Sequence, residues 1–314
     1  MMKTILITGI NGFLGSHLAL LLKNEYNVIG LEYNIDNLFR INHLNLKVYS
    51  SDENLEAIFI RENIYAVIHT ATIYRRKNEP IKDLLNTNII LPAILFEFSE
   101  KYKVEIFVNT DSFFNSNQNK TYNYLQDYTL SKQNALQWLQ LQRQECNLVN
   151  MKIFHMFGEN DSPSKFVPHI IEELKQNNPI DLTKGEQTRD FIYIKDVVNA
   201  YKTVLSTQFN KSFCEFDVCT GNSITIKAFV ETAKEATSSS SVLNWGVLPY
   251  RENEIMTSTG NPAPLIALGW KPKHAVKDVF SKWKTPNAAV SKLTLFNEGG
   301  GKLTFSINFR YLAA

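Results

Sequence analysis

The chain has 314 residues, 44% hydrophobic and 20% charged, with 33 lysines and arginines against 31 acids and a formal net charge of +2. That balance argues against a disordered chain, a nucleic-acid footprint and a polybasic membrane surface, and it points to a small-molecule partner. Cys146, Cys214 and Cys219 have no CxxC spacing and read as reduced thiols, with neither a metal site nor a disulfide framework.

Met1, Met2 and Lys3 lead straight into Ile5-Leu6-Ile7, without the apolar stretch and cleavage site of a secretory signal. The apolar tracts at 18–22 and 89–96 fall well short of the roughly 20 residues that span a bilayer, so a soluble, cytoplasmic protein is expected. Short β-rich runs are predicted at 4–8, 27–31, 47–50, 66–70, 106–109 and 150–154, and helices at 15–23, 55–61, 81–102 and 128–144. This alternation predicts an α/β fold: a doubly wound parallel sheet of the Rossmann type covered on both faces by helices. After Gly158 the pattern loosens, with Pro163, Pro168 and Pro179, a helix around 167–176 and a strand around 190–194. We expect a dinucleotide-binding domain over 1–155 and a smaller α/β substrate-binding part over 156–284. The two interleave, because 215–218 again reads as a buried sheet strand. The tail, 285–314, alternates at 294–296 and 302–309 around three glycines and receives no function.

The first strand runs into Thr8-Gly9-Ile10-Asn11-Gly12-Phe13-Leu14-Gly15 and then a helix, a G-x-x-G-x-x-G spacing. Glycines allow a tight turn and close approach of backbone to a pyrophosphate, whose charge the helix N-terminus meets. In this strand–turn–helix context the segment from Gly9 through Asn11, Gly12, Phe13 and Leu14 to Gly15 reads as a dinucleotide site. Glu32, at the end of the second strand, is placed to accept hydrogen bonds from the adenosine ribose and to repel a 2′-phosphate, which favours NAD; Arg40 leaves NADP open. Asp52, after the third strand, reads either as an adenine contact or as the N-cap of the next helix.

Tyr128-Thr129-Leu130-Ser131-Lys132 puts a phenol and an ammonium on one helix face. A nearby lysine favours the phenolate, so the tyrosine is expected to have a lowered pKa and to exchange a proton with substrate near neutral pH. Upstream, Asn109-Thr110-Asp111-Ser112 ends a strand with hydroxyl groups.

With these motifs in place the sequence resembles the extended short-chain dehydrogenase/reductase family of sugar-nucleotide epimerases, dehydratases and reductases, over about 3–284. Further carriers of the resemblance are Ala66-Val67-Ile68-His69-Thr70-Ala71, similar to the family's fourth strand beside the cofactor, and Asn88. The segment 189–197, Arg-Asp-Phe-Ile-Tyr-Ile-Lys-Asp-Val, and Leu268-Gly269-Trp270-Lys271-Pro272 complete it. The resemblance implies that Thr70 and Ala71 border the cofactor. It also makes Ser112 (or Thr110, if the strand ends sooner) the hydroxyl partner of Tyr128, and has Lys132 hold the nicotinamide ribose. Arg189 and Arg251 become candidates for the substrate diphosphate. His155 stands where many relatives carry an asparagine lining the substrate site; a hydrogen-bonded core histidine is the other reading.

Thr110-Asp111-Ser112 lacks the glutamate of the dehydratases' Thr-Asp-Glu, which disfavours elimination. The short interval from Ser112 to Tyr128 and the segment 184–196 resemble the branch of CDP-abequose and CDP-paratose synthases. The implied reaction is NAD(P)H-dependent reduction of the 4-keto group of a nucleotide-linked, CDP-linked deoxysugar for surface polysaccharides such as lipopolysaccharide. A 4-epimerase with tightly bound NAD is the alternative, and a non-catalytic dinucleotide sensor a third. Relatives often pair through two long helices, so 81–102 and 128–144 imply a homodimer.

Overall fold

The structure, a computed structural model, describes residues 2–76, 79–115 and 124–284. In chain order its elements are β1 (Thr4–Thr8), α1 (Phe13–Leu22), β2 (Asn27–Glu32), β3 (Lys47–Ser50), α2 (Leu55–Arg61), β4 (Ile64–His69) and α3 (Ile81–Leu85). A π-helical turn, Asn86–Ile90, joins α3 to α4 (Leu91–Lys101), followed by β5 (Ile106–Ser112), α5 (Gln126–Gln142), β6 (Asn147–Ile153) and β7 (His155–Phe157). Next come α6 (Phe166–Gln176), β8 (Ile180–Leu182), β9 (Thr188–Arg189), β10 (Phe191–Tyr193), α7 (Ile194–Ser206), β11 (Phe213–Val218) and β12 (Ile224–Thr225). The last are α8 (Ile226–Thr237), β13 (Leu243–Trp245), β14 (Thr257–Ser258), α9 (Ala263–Ala267) and α10 (Val276–Ser281).

Seven parallel strands form one sheet in the order β11-β6-β5-β4-β1-β2-β3. Its interior strand β1, Thr-Ile-Leu-Ile-Thr, is buried at every position. That continuous burial follows from helices on both faces. On one face Leu6, Val67, Phe107 and Leu148 of the strands pack with Ile58 and Phe59 of α2, Leu95 and Phe96 of α4, and Leu139 of α5. The helices α1 and α7 pack against each other elsewhere on the same unit. The chain winds outward from β1 through β2 and β3, then returns to β4 and winds the other way. The strand ends of β1 and β4 therefore flank the switch point at which open parallel sheets bind ligands.

The chain divides into two compact units, 1–161 with 186–226 and 250–274, and 162–185 with 227–249 and 275–314. Stretches expected on the substrate side, 186–226 and 250–274, thus belong to the unit of the parallel sheet. The reason is that β11 hydrogen-bonds to β6 as the sheet's outer strand, and β10 to β7. In that unit β9 also pairs with β12 and β14. The second unit holds α6, the parallel pair β8/β13, most of α8, and α10, around Phe166, Phe229 and Phe280.

Among the described residues the predicted strands and helices are present, those at 4–8, 47–50 and 55–61 with the expected ends and the others shifted, and two shifts bear on the site. The fifth strand continues through Ser112 rather than stopping at Asn109, and the helix predicted over 81–102 carries the π turn. The helix α7 went unread: its first residue follows strand-like Phe-Ile-Tyr, so the change of period is hidden. The predicted strands at 294–296 and 302–309 lie outside the described residues.

The glycine turn rests on close backbone approach. A Cβ on Gly15 would lie 2.2 Å from the carbonyl oxygen of Gly9, and one on Gly9, whose φ is +62°, would lie 2.8 Å from Cα of Ala71. Gly15→Ala should lower the unfolding free energy by about 1–3 kcal/mol, the range for forced overpacking, and weaken dinucleotide binding. An unchanged melting temperature in calorimetry would contradict this packing.

Candidate active site

The turn from β1 into α1 is tied to its surroundings by side chains. The Glu32 carboxylate accepts the backbone N–H groups of Asn11 (2.9 Å) and Tyr33 (3.1 Å). Asn11 accepts the backbone N–H of Arg40 at its side-chain oxygen and donates to the carbonyl of Asn37. The Arg40 guanidinium donates to the carbonyls of Asn11 (3.1 Å) and Asn160 (3.2 Å). Helix α1 begins at N-cap Gly12 without a side-chain cap, leaving its first turn, with Phe13 and Leu14, without a competing cap. A cradle walled by Gly9, Gly12 and Gly15, in which added Cβ atoms would collide, and an acid at the end of β2 both suit a dinucleotide.

At the neighbouring strand end the buried Thr8 hydroxyl accepts the backbone N–H groups of Thr70 and Ala71, both at 3.2 Å, and pairs with Nδ1 of His69 at 2.9 Å. The Thr70 hydroxyl donates back to the Thr8 carbonyl at 2.7 Å. Thr70 and Ala71 therefore stand against the glycine turn. Asp52, in contrast, is exposed, and the cap of α2 is Asn54, which accepts the N–H of Ala57. The capping alternative for Asp52 is thereby corrected: the helix starts two residues later than an Asp52 cap requires.

The structure brings Ser112, Tyr128 and Lys132 together, all buried. Ser112 is the hydroxyl that favours ionisation of the Tyr128 phenol. The Thr110 hydroxyl instead meets Tyr201 of α7 at 2.7 Å, which separates the two candidate hydroxyls. Lys132 donates through Nζ to the Thr110 carbonyl at 3.0 Å. Burial lowers its pKa to about 8, against an opposing pull from Asp111. The expected lowering of the Tyr128 pKa is not found. Burial, then Tyr74 and Asp111, push it well above the ordinary phenol value, and Ser112 only partly opposes them. Desolvation of the phenolate outweighs any lysine attraction here, and the acid is held neutral.

Two residues named in the sequence motifs without a role of their own, Asn88 and Asp111, support this trio. Asn88 is fully buried on the π turn. It accepts the N–H of Ile73 (2.8 Å) and donates to the Ile73 carbonyl (2.8 Å) and to the Ser131 hydroxyl (2.9 Å). Ser131 donates in turn to the Tyr128 carbonyl, so Asn88 pins the post-β4 segment to the helix that carries Tyr128. The readable signal was a polar residue among Leu84, Leu91 and Pro92. Below the trio, Asp111 accepts from the Ser112 N–H (2.8 Å), Asn115 (2.6 Å) and Asn150 (3.0 Å). Burial raises its pKa, and the bonds from Asn150 and the Ser112 N–H counter the shift.

His155 packs on Phe113 with ring centroids 4.2 Å apart and faces the Ser258 hydroxyl at 3.2 Å. Burial, reinforced by Arg189, holds it neutral. Arg189 is itself buried and forked onto Glu254 (2.6 Å) and the carbonyls of Ile255 (2.6 Å) and Thr188 (2.9 Å). Arg251 stacks over Tyr124, 3.9 Å from the ring centroid.

Residues 5–218 match the NAD dependent epimerase/dehydratase family. The chain belongs to that family. Among this family member's relatives is a CDP-abequose synthase from Salmonella muenchen, 36% identical over 281 residues, covering 88% of this chain and 94% of the relative. Another, from Salmonella typhimurium, is 32% identical over 87% of this chain and 94% of its own. A UDP-glucose 4-epimerase from Thermotoga maritima, solved with UDP-glucose, superposes with a TM-score of 0.77 at 22% identity, covering 89% of this chain and 96% of its own. That likeness speaks to the fold. Among the described residues no helix is long and apolar enough to cross a membrane.

The buried Lys132 of this family member has a stability consequence with a definite sign. Its pKa falls from the ordinary 10.5 to about 8 on folding. Between those values the unfolded chain binds more protons, so this group's contribution to stability improves as pH rises through that window and is unfavourable below it. Lys132→Met should raise the melting temperature at pH 7 and lose turnover. A lower melting temperature would show that the ammonium is a net stabilising group.

Proposed function

We propose that the chain reduces the 4-keto group of a CDP-linked deoxysugar with a nicotinamide cofactor, in the making of surface polysaccharide sugars. The observation that carries this reading is the neutral Tyr128, buried with Ser112 and Lys132, in a chain 36% identical to a CDP-abequose synthase. The reduced cofactor, when bound, supplies the hydride. The chain's own residues do the rest. Ser112 orients the carbonyl oxygen where negative charge develops. Tyr128 donates the proton, and its raised pKa keeps it loaded at neutral pH. Lys132, charged below about pH 8, places a cation beside the nicotinamide ribose.

On this reading Gly9 to Gly15 cradle the pyrophosphate and Glu32 receives the adenosine ribose. The Glu32 carboxylate disfavours a 2′-phosphate, and Arg40 already bonds two carbonyls, so NADH is the preferred cofactor. Arg251 meets the substrate diphosphate; Arg189, neutralised by Glu254, braces β9 and β14 beside it. Elimination of water lacks its acid, since Asp111 is turned onto Asn150, Asn115 and the Ser112 N–H.

The protein acts as a homodimer. Leu130, Trp138 and Leu141 of α5 are 57%, 51% and 75% exposed, and Ile81 and Leu85 of α3 are 46% and 40% exposed, an apolar surface that a second copy covers. Leu141→Glu should convert a dimer to a monomer in sedimentation. A monomeric wild type would remove the pairing.

The reaction is tested by offering CDP-, dTDP-, UDP- and GDP-linked 4-keto sugars with NADH or NADPH and following cofactor absorbance. Net oxidation of NADH with the CDP sugar is expected, and Tyr128→Phe should reduce it by about 10²–10⁴-fold, the usual loss of a positioned donor. Interconversion of epimers with no net cofactor consumption would establish the epimerase instead, and inertness toward every sugar would establish a sensor.

A further inference from the structure

Asn11 is a variable residue of the glycine turn, and each of its four polar groups meets the chain between Glu32 and Arg40. Its N–H donates to the Glu32 carboxylate at 2.9 Å, and its side-chain amide donates to the Asn37 carbonyl at 2.9 Å. Its side-chain oxygen accepts the Arg40 N–H at 3.0 Å, and its carbonyl accepts the Arg40 guanidinium at 3.1 Å. The same guanidinium reaches the carbonyl of Asn160, in the segment after β7, at 3.2 Å. That segment also meets the turn at Gly158, where a Cβ would lie 3.5 Å from the Phe13 ring. Arg40 thus joins three pieces of chain at the edge where β1 ends. Packing does not fix the loop after β2, because residues 33–37 and Phe39 are exposed. Its hold on the fold runs through Asn11 and Arg40. Burial lowers the Arg40 pKa and Asp161 opposes the shift, so the guanidinium stays charged at neutral pH.

We propose that Arg40 is a positioning residue for the dinucleotide: it fastens the loop after β2 and the segment after β7 to the glycine turn, presetting the groove for the adenosine end without itself touching a phosphate. This rests on the reading of Gly9 to Gly15 and Glu32 as the cofactor site. The residue type fits the task. A guanidinium presents its N–H groups on one rigid plane and so holds two carbonyls from different segments in a fixed relation, whereas a lysine ammonium is a point charge on a flexible stem. An unfastened loop would have to become ordered as the dinucleotide arrives, and that ordering is subtracted from affinity. The role differs from the usual one for a cation near the end of the second strand, which is contact with a 2′-phosphate. Here the guanidinium is engaged by two carbonyls, and Asp161 offsets its charge.

Arg40→Met removes the fork and keeps an unbranched stem. Titrating the cofactor-free protein with NADH and with NADPH, followed by tryptophan fluorescence, should show both weakened alike, by about 10-fold, near the low end for losing a hydrogen bond to a charged group. Arg40→Lys should recover little of this. Asn11→Ala removes the loop's other side-chain anchors, so Arg40→Met should weaken NADH less in that background than in wild type. In turnover the KM for NADH should rise while kcat at saturating cofactor is little changed, a split that a general loss of stability does not produce. Hydrogen exchange without cofactor supplies a second readout. The amides of 37–44 should exchange faster in Arg40→Met, and those of β1 and β4 should keep their wild-type protection. Equal NADH affinity in wild type and Arg40→Met would overturn the proposal. So would a loss confined to NADPH, which marks a phosphate ligand, or full recovery by Arg40→Lys, which marks charge alone. A wild type that binds neither dinucleotide would refute the cofactor reading, and faster exchange at 37–44 in Arg40→Met would then leave only the fastening of the loop standing.

Discussion

The site depends on how closely the backbone approaches itself where β1 ends. Gly9 adopts a positive φ with its Cα against Ala71, and its carbonyl occupies the space any side chain at Gly15 would need. Thr8 ties the same point to β4 by accepting two backbone N–H groups with a hydroxyl that is wholly buried. These contacts bring the first turn of α1 and the loop after β4 to one edge of the sheet, at the place where the strand order reverses. Glu32 then bonds the Asn11 N–H, so the acid of the second strand is fixed relative to the turn. A looser turn would misplace all three elements together.

Around that edge lies an unusual concentration of buried polar groups. Lys132, Asp111, Asn109 and Asn150 are each at most 2% exposed. Burying such groups costs several kcal/mol per unpaired ion, so their partners decide whether the fold tolerates them. Asn109 donates to Asn150, which donates to Asp111 and Glu215, and Lys132 donates to a strand carbonyl. The network spans β5, β6 and β11, and its strands stand in register at Asn109, Asn150 and Glu215. One consequence is that the end of β5 is held from below while Ser112 faces Tyr128. Another is that the Asp111 carboxylate is drawn inward, away from acid chemistry.

The surroundings of the phenol are aromatic as well as polar. Phe114 meets Tyr128 edge-on, Phe113 packs on His155, and Tyr74 stacks on Tyr128. Such a wall withholds water from the phenolate, which is why the phenol's pKa rises although an ammonium lies one helical turn on. A donor for an alkoxide benefits from that bias; a base awaiting a proton would not. His155 experiences the same desolvation and remains neutral beside Arg189.

Local spacing in the sequence determined the parallel sheet, the glycine turn, the acid at the end of β2 and the Tyr128/Lys132 pair. Each is set by neighbours within a strand, a turn or a helical turn, where periodicity and backbone conformation leave little choice. The assignment of Ser112 over Thr110 was not settled there, because it depends on a strand running to Ser112 and on Tyr201, 91 residues away, taking the Thr110 hydroxyl. Nor was the pairing of Arg189 with Glu254, 65 residues on, or the role of Asn88 in clamping Ile73 to Ser131. The direction of the Tyr128 pKa was misjudged for the same reason: charge proximity is legible along a helix, whereas desolvation depends on what the rest of the fold packs around the group. Hydrogen-bond partners and burial are properties of long-range contacts, and only the tertiary structure decides them.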